Sequence, residues 1–197
     1  MKKKFNQVYQ FKISLLGIRP PIWRRIQVPE TYTFWDLHVA IQDVMGWADY
    51  HLHEFGITSP ENGEKVRIGI HEENFDKKLL PEWKQKIADY FSQENEKADY
   101  VYDFGDNWEH IIKLEKILPR EENIKYPVCI KGKRACSPED CGGIGGYYNL
   151  LEIIKNPNHE RYEEMLDWIG GEFDLERFDV EEVSFDDPGK RQKIAFG

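Results

Sequence analysis

No stretch of this sequence approaches the roughly 20 consecutive apolar residues that a membrane-spanning helix requires. The basic run 1–4 at the start passes directly into alternating apolar and polar residues, whereas a secretory signal continues into an unbroken apolar segment. We therefore expect no association with a membrane, and a cytoplasmic location.

Cysteine is scarce, with three residues, Cys129, Cys136 and Cys141, in a chain of 197. Six and four residues separate them in turn, so the chain lacks the closely spaced cysteine pair that is typical of a structural zinc site. An odd number of thiols also makes an incomplete disulfide framework. We expect the three cysteines to be reduced.

Several catalytic signatures are missing as well. The chain has no Gly-x-Ser-x-Gly element, which argues against a hydrolase built on a nucleophile elbow. Its glycine-rich stretch 142–146 is not followed by the Lys-Ser/Thr pair of a P-loop. The triplet 103–105 is similar to the metal-binding triplet of protein kinases, but the other kinase motifs are absent.

Positive charge is in deficit, because 27 basic side chains stand against 36 acidic ones and the net charge is −9. Such a balance repels nucleic acid on average, although a local basic patch can still bind it. The residues that would form a patch are Arg19, Arg24 and Arg25, joined by Lys131, Lys133 and Arg134. Because Arg24 and Arg25 point to opposite sides of a predicted strand, an ion-pair network is the alternative interpretation.

Aromatic residues are abundant, at 14% of the chain, which is typical of a protein that folds around a substantial core. Alternation of apolar and polar residues predicts seven strands, at 8–16, 22–28, 51–57, 66–70, 100–104, 108–114 and 126–130. Helical spacing predicts helices at 34–45, 81–91, 147–155 and 159–169. The sequence thus predicts a single compact α+β domain over 1–197, with its core at about 8–185 and helices packed against a largely antiparallel sheet.

The first candidate site lies on the predicted strands. His51 and His53 are two positions apart, so a strand would present both imidazoles on one side, as a sheet does to one metal ion or substrate. Together with His110 and Asp106, which lies at the tip of the hairpin, they would hold a divalent cation. The alternative is structural: an aspartate that shapes a turn, and histidines that form hydrogen bonds within the sheet.

The second candidate is the irregular loop 135–146, which carries Glu139, Asp140 and Cys141 beside four glycines. Adjacent carboxylates on flexible backbone suit proton transfer, or binding of a cation. Acids that cap backbone donors in a structural loop are the alternative. The full predicted ligand-binding set, from both candidates, comprises His51, His53, Asp103, Asp106, Trp108, His110, Glu139 and Asp140.

Three blocks of sequence, in this order, resemble one known family. They are 16–26 running into 36–38, 45–47 and 51–55; 102–110, read as Tyr-Asp-Phe-Gly-Asp-Asn-Trp-Glu-His; and 132–147, which contains Cys-Ser-Pro-Glu-Asp-Cys-Gly-Gly. The family is named after the third open reading frame of plasmid pRiA, and its members include passenger proteins of insertion elements. The resemblance implies a compact α+β domain in bacteria, archaea or their mobile elements, without an established activity.

Three functional hypotheses follow. The first is a non-enzymatic binding or accessory module, which takes a divalent cation, a small polar ligand or a protein partner between the histidine-bearing strands and the loop 139–146. The second is a nucleic-acid-binding accessory protein of a mobile element. The third is a metal-dependent hydrolase that uses His51, His53, Asp103 and His110. The first and third depend on the fold bringing these distant side chains to one pocket.

Overall fold

The structure, a computed structural model, describes residues 4–70 and 78–196. In these residues eight strands form one sheet, and four α-helices accompany it. The strands are β1 (Gln7–Leu15), β2 (Trp23–Pro29), β3 (His53–Thr58), β4 (Lys65–Gly69), β5 (Leu79–Pro81), β6 (Lys97–Tyr102), β7 (Trp108–Pro119) and β8 (Val128–Lys133). The helices are α1 (Phe34–Met45), α2 (Gly143–Ile154), α3 (Tyr162–Trp168) and α4 (Pro188–Phe196).

The sheet runs in the order β5-β4-β3-β6-β7-β1-β2-β8. Every neighbouring pair is antiparallel except β4 and β5, which are parallel. Short connections explain three of the antiparallel pairs, β1–β2, β3–β4 and β6–β7, because a tight turn returns the chain to an antiparallel neighbour. The predicted fold class, an α+β domain with a largely antiparallel sheet, is confirmed.

One face of the sheet, which we call the inner face, carries the core. Phe11, Ile26, Phe55 and Tyr100 point to this side from four strands and are fully buried. The apolar side of α1 packs onto them, and Phe34 contacts Phe55 with ring centroids 5.1 Å apart. The opposite, outer face carries mainly polar side chains, as the alternation of the strands requires.

The ends of α1 follow from local chemistry. Thr33 Oγ1 accepts a hydrogen bond from the Asp36 amide at 3.2 Å, and the Asp36 carboxylate accepts one from the Thr33 amide at 2.8 Å. This reciprocal pair is a capping box. Gly46 ends the helix with φ of 82°, a conformation that glycine adopts without steric cost. The predicted start and end of this helix are both confirmed.

The predicted helix at 81–91 is wrong. The chain forms β5 there, followed by two short 3₁₀ turns at Glu82–Lys84 and Ile87–Asp89. Backbone groups of this segment form hydrogen bonds with residues 32–34 instead. Phe34 N–H donates to Gln85 O, and Ile87 N–H donates to Tyr32 O, both at 3.0 Å. These groups are therefore not available for helical hydrogen bonds. The polar residues before this segment are predicted from the sequence to form a surface loop, and 71–77 among them lie outside the described residues.

Helix α4 was not predicted from the sequence, because its apolar residues form hardly any continuous stripe. It docks on α1 by polar contacts instead. Arg191 contacts Asp43 at 2.9 Å, and Trp35 Nε1 donates to Pro188 O at 2.9 Å. None of the helices in the described residues is long and apolar enough to cross a membrane.

Candidate functional site

Three chain segments meet at one end of the sheet. His51 comes from the loop between α1 and β3, Asp103 from the β6–β7 turn, and Asp140 from the loop before α2. His51 Nε2 lies 3.0 Å from Asp140 Oδ1 and 3.8 Å from Asp103 Oδ2. One ligand atom from each residue lies within 4.8 Å of the other two. We call His51, Asp103 and Asp140 the rim site.

The β6–β7 turn fixes the orientation of Asp103. Its amide donates to Leu52 O at 2.9 Å, and its Oδ1 accepts from the Gly105 amide at 2.9 Å. The residue has φ of 56°, a left-handed conformation that aspartate tolerates better than most residues. These contacts leave Oδ2 facing His51.

The loop before α2 is pressed against this turn. Asp106 Oδ2 accepts a hydrogen bond from the Gly142 amide at 3.1 Å. Gly143 has φ of 66°, and a Cβ built on it would lie 2.5 Å from the Asp106 carbonyl oxygen. Only glycine fits this approach, so the glycines of the loop hold Asp140 beside the turn.

We expect Gly143→Ala to destabilise the protein by at least about 2 kcal/mol, because the added Cβ meets backbone and the left-handed conformation strains alanine. Urea denaturation followed by circular dichroism measures this loss. Gly145→Ala is the matched control, since a Cβ at Gly145 meets nothing within 4 Å. Equal stability of the two variants would contradict the proposed close packing.

Glu139 joins the rim to the sheet. Its Oε2 accepts from the Ala48 amide at 2.6 Å, and its Oε1 accepts from the Tyr102 hydroxyl. Burial raises the pKa of Tyr102 well above its ordinary value, and the hydrogen bond to Glu139 raises it further. The carboxylates of Glu139 and Asp106 therefore hold the loop in place. These two predicted ligands lie beside the rim site and are not members of it.

The prediction that His51 and His53 share one side of a strand is wrong. His51 lies before the start of β3, and its side chain is 30% exposed, whereas His53 is on the inner face and almost fully buried. The ring of His53 stacks on His38 of α1, with centroids 3.4 Å apart and planes within 5°. The two predicted ligands thus belong to different clusters.

This second, buried cluster consists of two histidine–carboxylate pairs. His38 Nε2 lies 2.8 Å from Asp49 Oδ1, and His53 Nε2 lies 2.6 Å from Glu82 Oε2. Burial, together with the neighbouring His53, lowers the pKa of His38 to about 4. Sequence reasoning missed His38, Asp49 and Glu82. The available signal was a polar residue on the apolar stripe of α1, because His38 lies four residues after Phe34.

The remaining predicted ligands are interior. Trp108 and His110 point to the inner face of β7 and are almost fully buried. Burial lowers the pKa of His110 to about 4, and the backbone of Tyr100 and Trp108 opposes this shift in part. The predicted metal set of His51, His53, His110 and Asp106 does not form one of the ligand clusters found in the described residues.

Burial also governs the three cysteines, which are free thiols. Burial raises the pKa of Cys136 to about 11 and that of Cys141 to about 12, and it raises the pKa of Cys129. Thiols in such surroundings remain protonated at neutral pH and are poor nucleophiles. Neither ligand cluster found in the described residues includes a cysteine.

Two members of the predicted basic patch, Arg24 and Arg134, are buried. Arg24 is 2% exposed and donates to the carbonyl oxygens of Val44, Trp23 and Lys133. Arg134 is 5% exposed and donates to Pro20 O and to Glu176. Arg24 and Arg134 are therefore structural. Of the other four predicted residues, Arg25 pairs with Glu115 at 2.5 Å, and Arg19, Lys131 and Lys133 are exposed.

Exposed apolar side chains surround the rim site. Tyr50 is 79% exposed and Leu52 is 54% exposed, on either side of His51 in the chain, and Phe104, next to Asp103, is 55% exposed. Large apolar residues around a polar centre are typical of a surface that binds a ligand or a partner.

Comparisons with known proteins agree with this architecture. The chain matches the model of the plasmid pRiA4b ORF-3-like protein family over residues 7–182. It is 33% identical over 164 residues to the uncharacterized protein y4hQ of Sinorhizobium fredii, covering 83% of this chain and 81% of that protein. It is also similar to the crystal structure of a protein of unknown function, MM3350 from Methanosarcina mazei, with 53% identity and a TM-score of 0.88. That likeness covers 92% of this chain and all of the archaeal one. The chain therefore belongs to the plasmid pRiA4b ORF-3-like family.

Proposed function

We propose that the protein is a binding module whose rim site holds a divalent transition-metal cation. The observation that carries this proposal is the convergence of His51, Asp103 and Asp140, from three separate segments, with ligand atoms within 4.8 Å of one another. Zinc–nitrogen and zinc–oxygen bonds are about 2.0–2.2 Å long, so small side-chain movements would bring all three atoms to one ion.

The ligand types indicate the kind of ion. One imidazole and two carboxylates suit zinc, manganese or iron(II) better than calcium or magnesium, which prefer oxygen ligands alone. The Asp140 side chain is 65% exposed, so the site opens to solvent. A bound ion would therefore keep open coordination positions for water, a small polar ligand or a group from a protein partner, and the exposed Tyr50, Leu52 and Phe104 would contact that partner.

A binding role is favoured over the metal-dependent hydrolase. That alternative required His53 and His110 to act together with His51 and Asp103. His53 is 3% exposed and His110 is 1% exposed, both within the core. A substrate at the rim would reach neither imidazole.

The free thiols support a reducing compartment, and we propose the cytoplasm as the location of this binding activity.

A metal ion at this site should stabilise the folded protein. At a concentration one hundredfold above Kd, zinc or manganese would add about 2.7 kcal/mol, and the melting temperature would rise by roughly 5–10 °C. Differential scanning fluorimetry of protein purified without a histidine tag measures this rise, and elemental analysis measures the metal content. His51→Ala and Asp140→Asn should each abolish the rise.

The control for this experiment is His159→Ala, because His159 lies away from both ligand clusters and should leave the response to metal unchanged. Absence of a thermal shift with zinc, manganese, magnesium and calcium, together with absence of metal in the purified protein, would exclude the proposed site. An equal shift in the His51→Ala variant would place the metal elsewhere.

A further inference from the structure

The outer face of the sheet carries a row of cations that the register of the strands creates. Lys97 of β6 lies opposite Lys113 of β7, which lies opposite Lys12 of β1. Lys12 lies opposite Arg25 of β2, which lies opposite Lys131 of β8. Five neighbouring strands thus each contribute one cation to a single line across the sheet, which we call the basic row.

These side chains point the same way, because residues directly opposite each other on paired strands share a face. Neighbouring strands lie about 4.8 Å apart, so the row extends over roughly 19 Å. The inward neighbours of Lys12 and Arg25 in the chain, Ile13 and Ile26, are fully buried in the core. The row therefore lies on the face opposite to α1.

Two of the five cations form direct ion pairs. Arg25 pairs with Glu115 at 2.5 Å, and Lys113 pairs with Glu96 at 3.1 Å. Lys12, Lys97 and Lys131 form no direct ion pair with any residue that the structure describes, although Glu115 also attracts Lys12. Lys97 and Lys131 are exposed. A chain with a net charge of −9 has therefore gathered several cations without a direct ion pair on one strip of its surface.

An aromatic side chain adjoins the row. Trp23 lies on the same face, opposite Lys133 of β8, which is also exposed. The Lys12 ammonium is 5.0 Å from the centroid of the Trp23 ring, and the Arg25 guanidinium is 5.2 Å from it. A partly exposed aromatic ring between cations combines a stacking surface with charge, which is what single-stranded nucleic acid recognition uses.

The strip also has a boundary. Toward β3 and β4 the same face carries charges of both signs around a depression of about 560 Å³. Lys65 pairs with Asp99 there, and Arg67 pairs with Glu54. The cations without a direct ion pair are therefore on the strip from β6 to β8.

We propose that the basic row binds the phosphate backbone of a single-stranded nucleic acid, with a base stacked against Trp23. A row of cations on a rigid sheet fits a chain with regularly repeated phosphates, and the contacts involve no base edge, so binding is independent of sequence. This surface is distinct from the rim site. Its Arg25 and Lys131 belong to the predicted patch, whereas Lys12, Lys97 and Lys113 do not.

Fluorescence anisotropy with a labelled 20-nucleotide oligothymidylate tests this inference. We expect micromolar affinity at 20 mM salt, with a plot of log K against log salt concentration that has a slope of about −2, as three unpaired cations predict for a single strand. Charge reversal by Lys12→Glu together with Lys131→Glu should weaken binding at least tenfold. Trp23→Leu should weaken it without changing the salt slope.

The matched control is Lys155→Glu, which reverses an exposed lysine at the end of α2, away from the basic row, and should leave the affinity unchanged. The proposal is overturned if the oligonucleotide does not bind at 20 mM salt, or if Lys155→Glu weakens binding as much as the double variant. Equal binding of a duplex would remove the single-strand assignment. Equal binding of poly-glutamate, with the same sensitivity to variants, would show that the strip recognises acidic protein instead.

Discussion

Lowering the pH from 7.5 to 5 should reduce the free energy of unfolding by about 4 kcal/mol, because two buried histidines stay neutral in the fold. Burial lowers the pKa values of His38 and His110 to about 4, below the ordinary value of 6.5. The unfolded chain therefore binds more protons than the folded one between these values. The contribution of the neutral histidines to the free energy of unfolding is fully present above about pH 6.5 and decreases as the pH falls toward 4. At pH 5 about 2 kcal/mol has been lost for each histidine.

Urea denaturation at the two pH values measures this loss, and His110→Phe isolates one half of it. Phenylalanine cannot be protonated, and no side chain forms a hydrogen bond with the imidazole of His110 in the described residues. The variant should therefore lose only about 2 kcal/mol over the same pH interval. An unchanged pH dependence in His110→Phe would show that this imidazole does not limit stability in acid.

Replacement of Arg24 by alanine should destabilise the protein by roughly 3–5 kcal/mol, enough to unfold much of a domain of ordinary stability. The guanidinium donates to the carbonyl oxygens of Val44, Trp23 and Lys133, and it stacks on Phe178 at 3.8 Å from the ring centroid. Alanine would leave the buried Val44 carbonyl and the partly buried Trp23 and Lys133 carbonyls without this donor, and it would leave a cavity. Thermal and urea denaturation measure the loss.

Arg25→Ala is the neighbouring control. Its ion pair with Glu115 is partly exposed, with side-chain exposures of 25% and 20%, so we expect a loss of about 1 kcal/mol or less. Similar stabilities of the Arg24→Ala and Arg25→Ala variants would contradict the structural role of Arg24. This contrast also shows why Arg24→Ala cannot test nucleic-acid binding, since any loss of binding would reflect loss of the fold.

The rim site and the basic row lie on different parts of the molecule, so variants separate them. His51→Ala should remove the metal response and leave oligonucleotide binding unchanged, whereas reversal of Lys12 and Lys131 should do the opposite. The chain would then combine a cation site at one end of its sheet with a polyanion surface on the outer face.

The fold class was readable from local pattern. Alternation predicted β1, β2 and β4 to within one residue of their observed bounds, because apolar residues that face the core recur at every second position. It also predicted the β6–β7 hairpin, although β6 begins three residues earlier and β7 ends five residues later than predicted. Thr33 and Gly46 defined α1 by their own chemistry. The segment 81–91 could not be predicted this way, since its apolar spacing fits a helix but its backbone bonds to residues 32–34.

The candidate site was readable only in part. His51, Asp103 and Asp140 were predicted ligands, and the structure brings their side chains together. His53 and His110 have the same chemistry in the sequence, but burial on the inner face takes them away from the rim. The role of His38 could not be predicted from the sequence, because it depends on stacking against His53, which lies on another element.

The sequence by itself determined which residues alternate, where α1 begins and ends, and that the chain would bury an aromatic core, because these depend on neighbours within a few positions. Only the tertiary structure decided which charged groups act together. Strand register aligned Lys12, Lys113 and Lys131 into a row, and loop packing brought His51 to Asp140. Both effects arise between segments that are distant in the chain, where no local periodicity records which residues will be opposite each other.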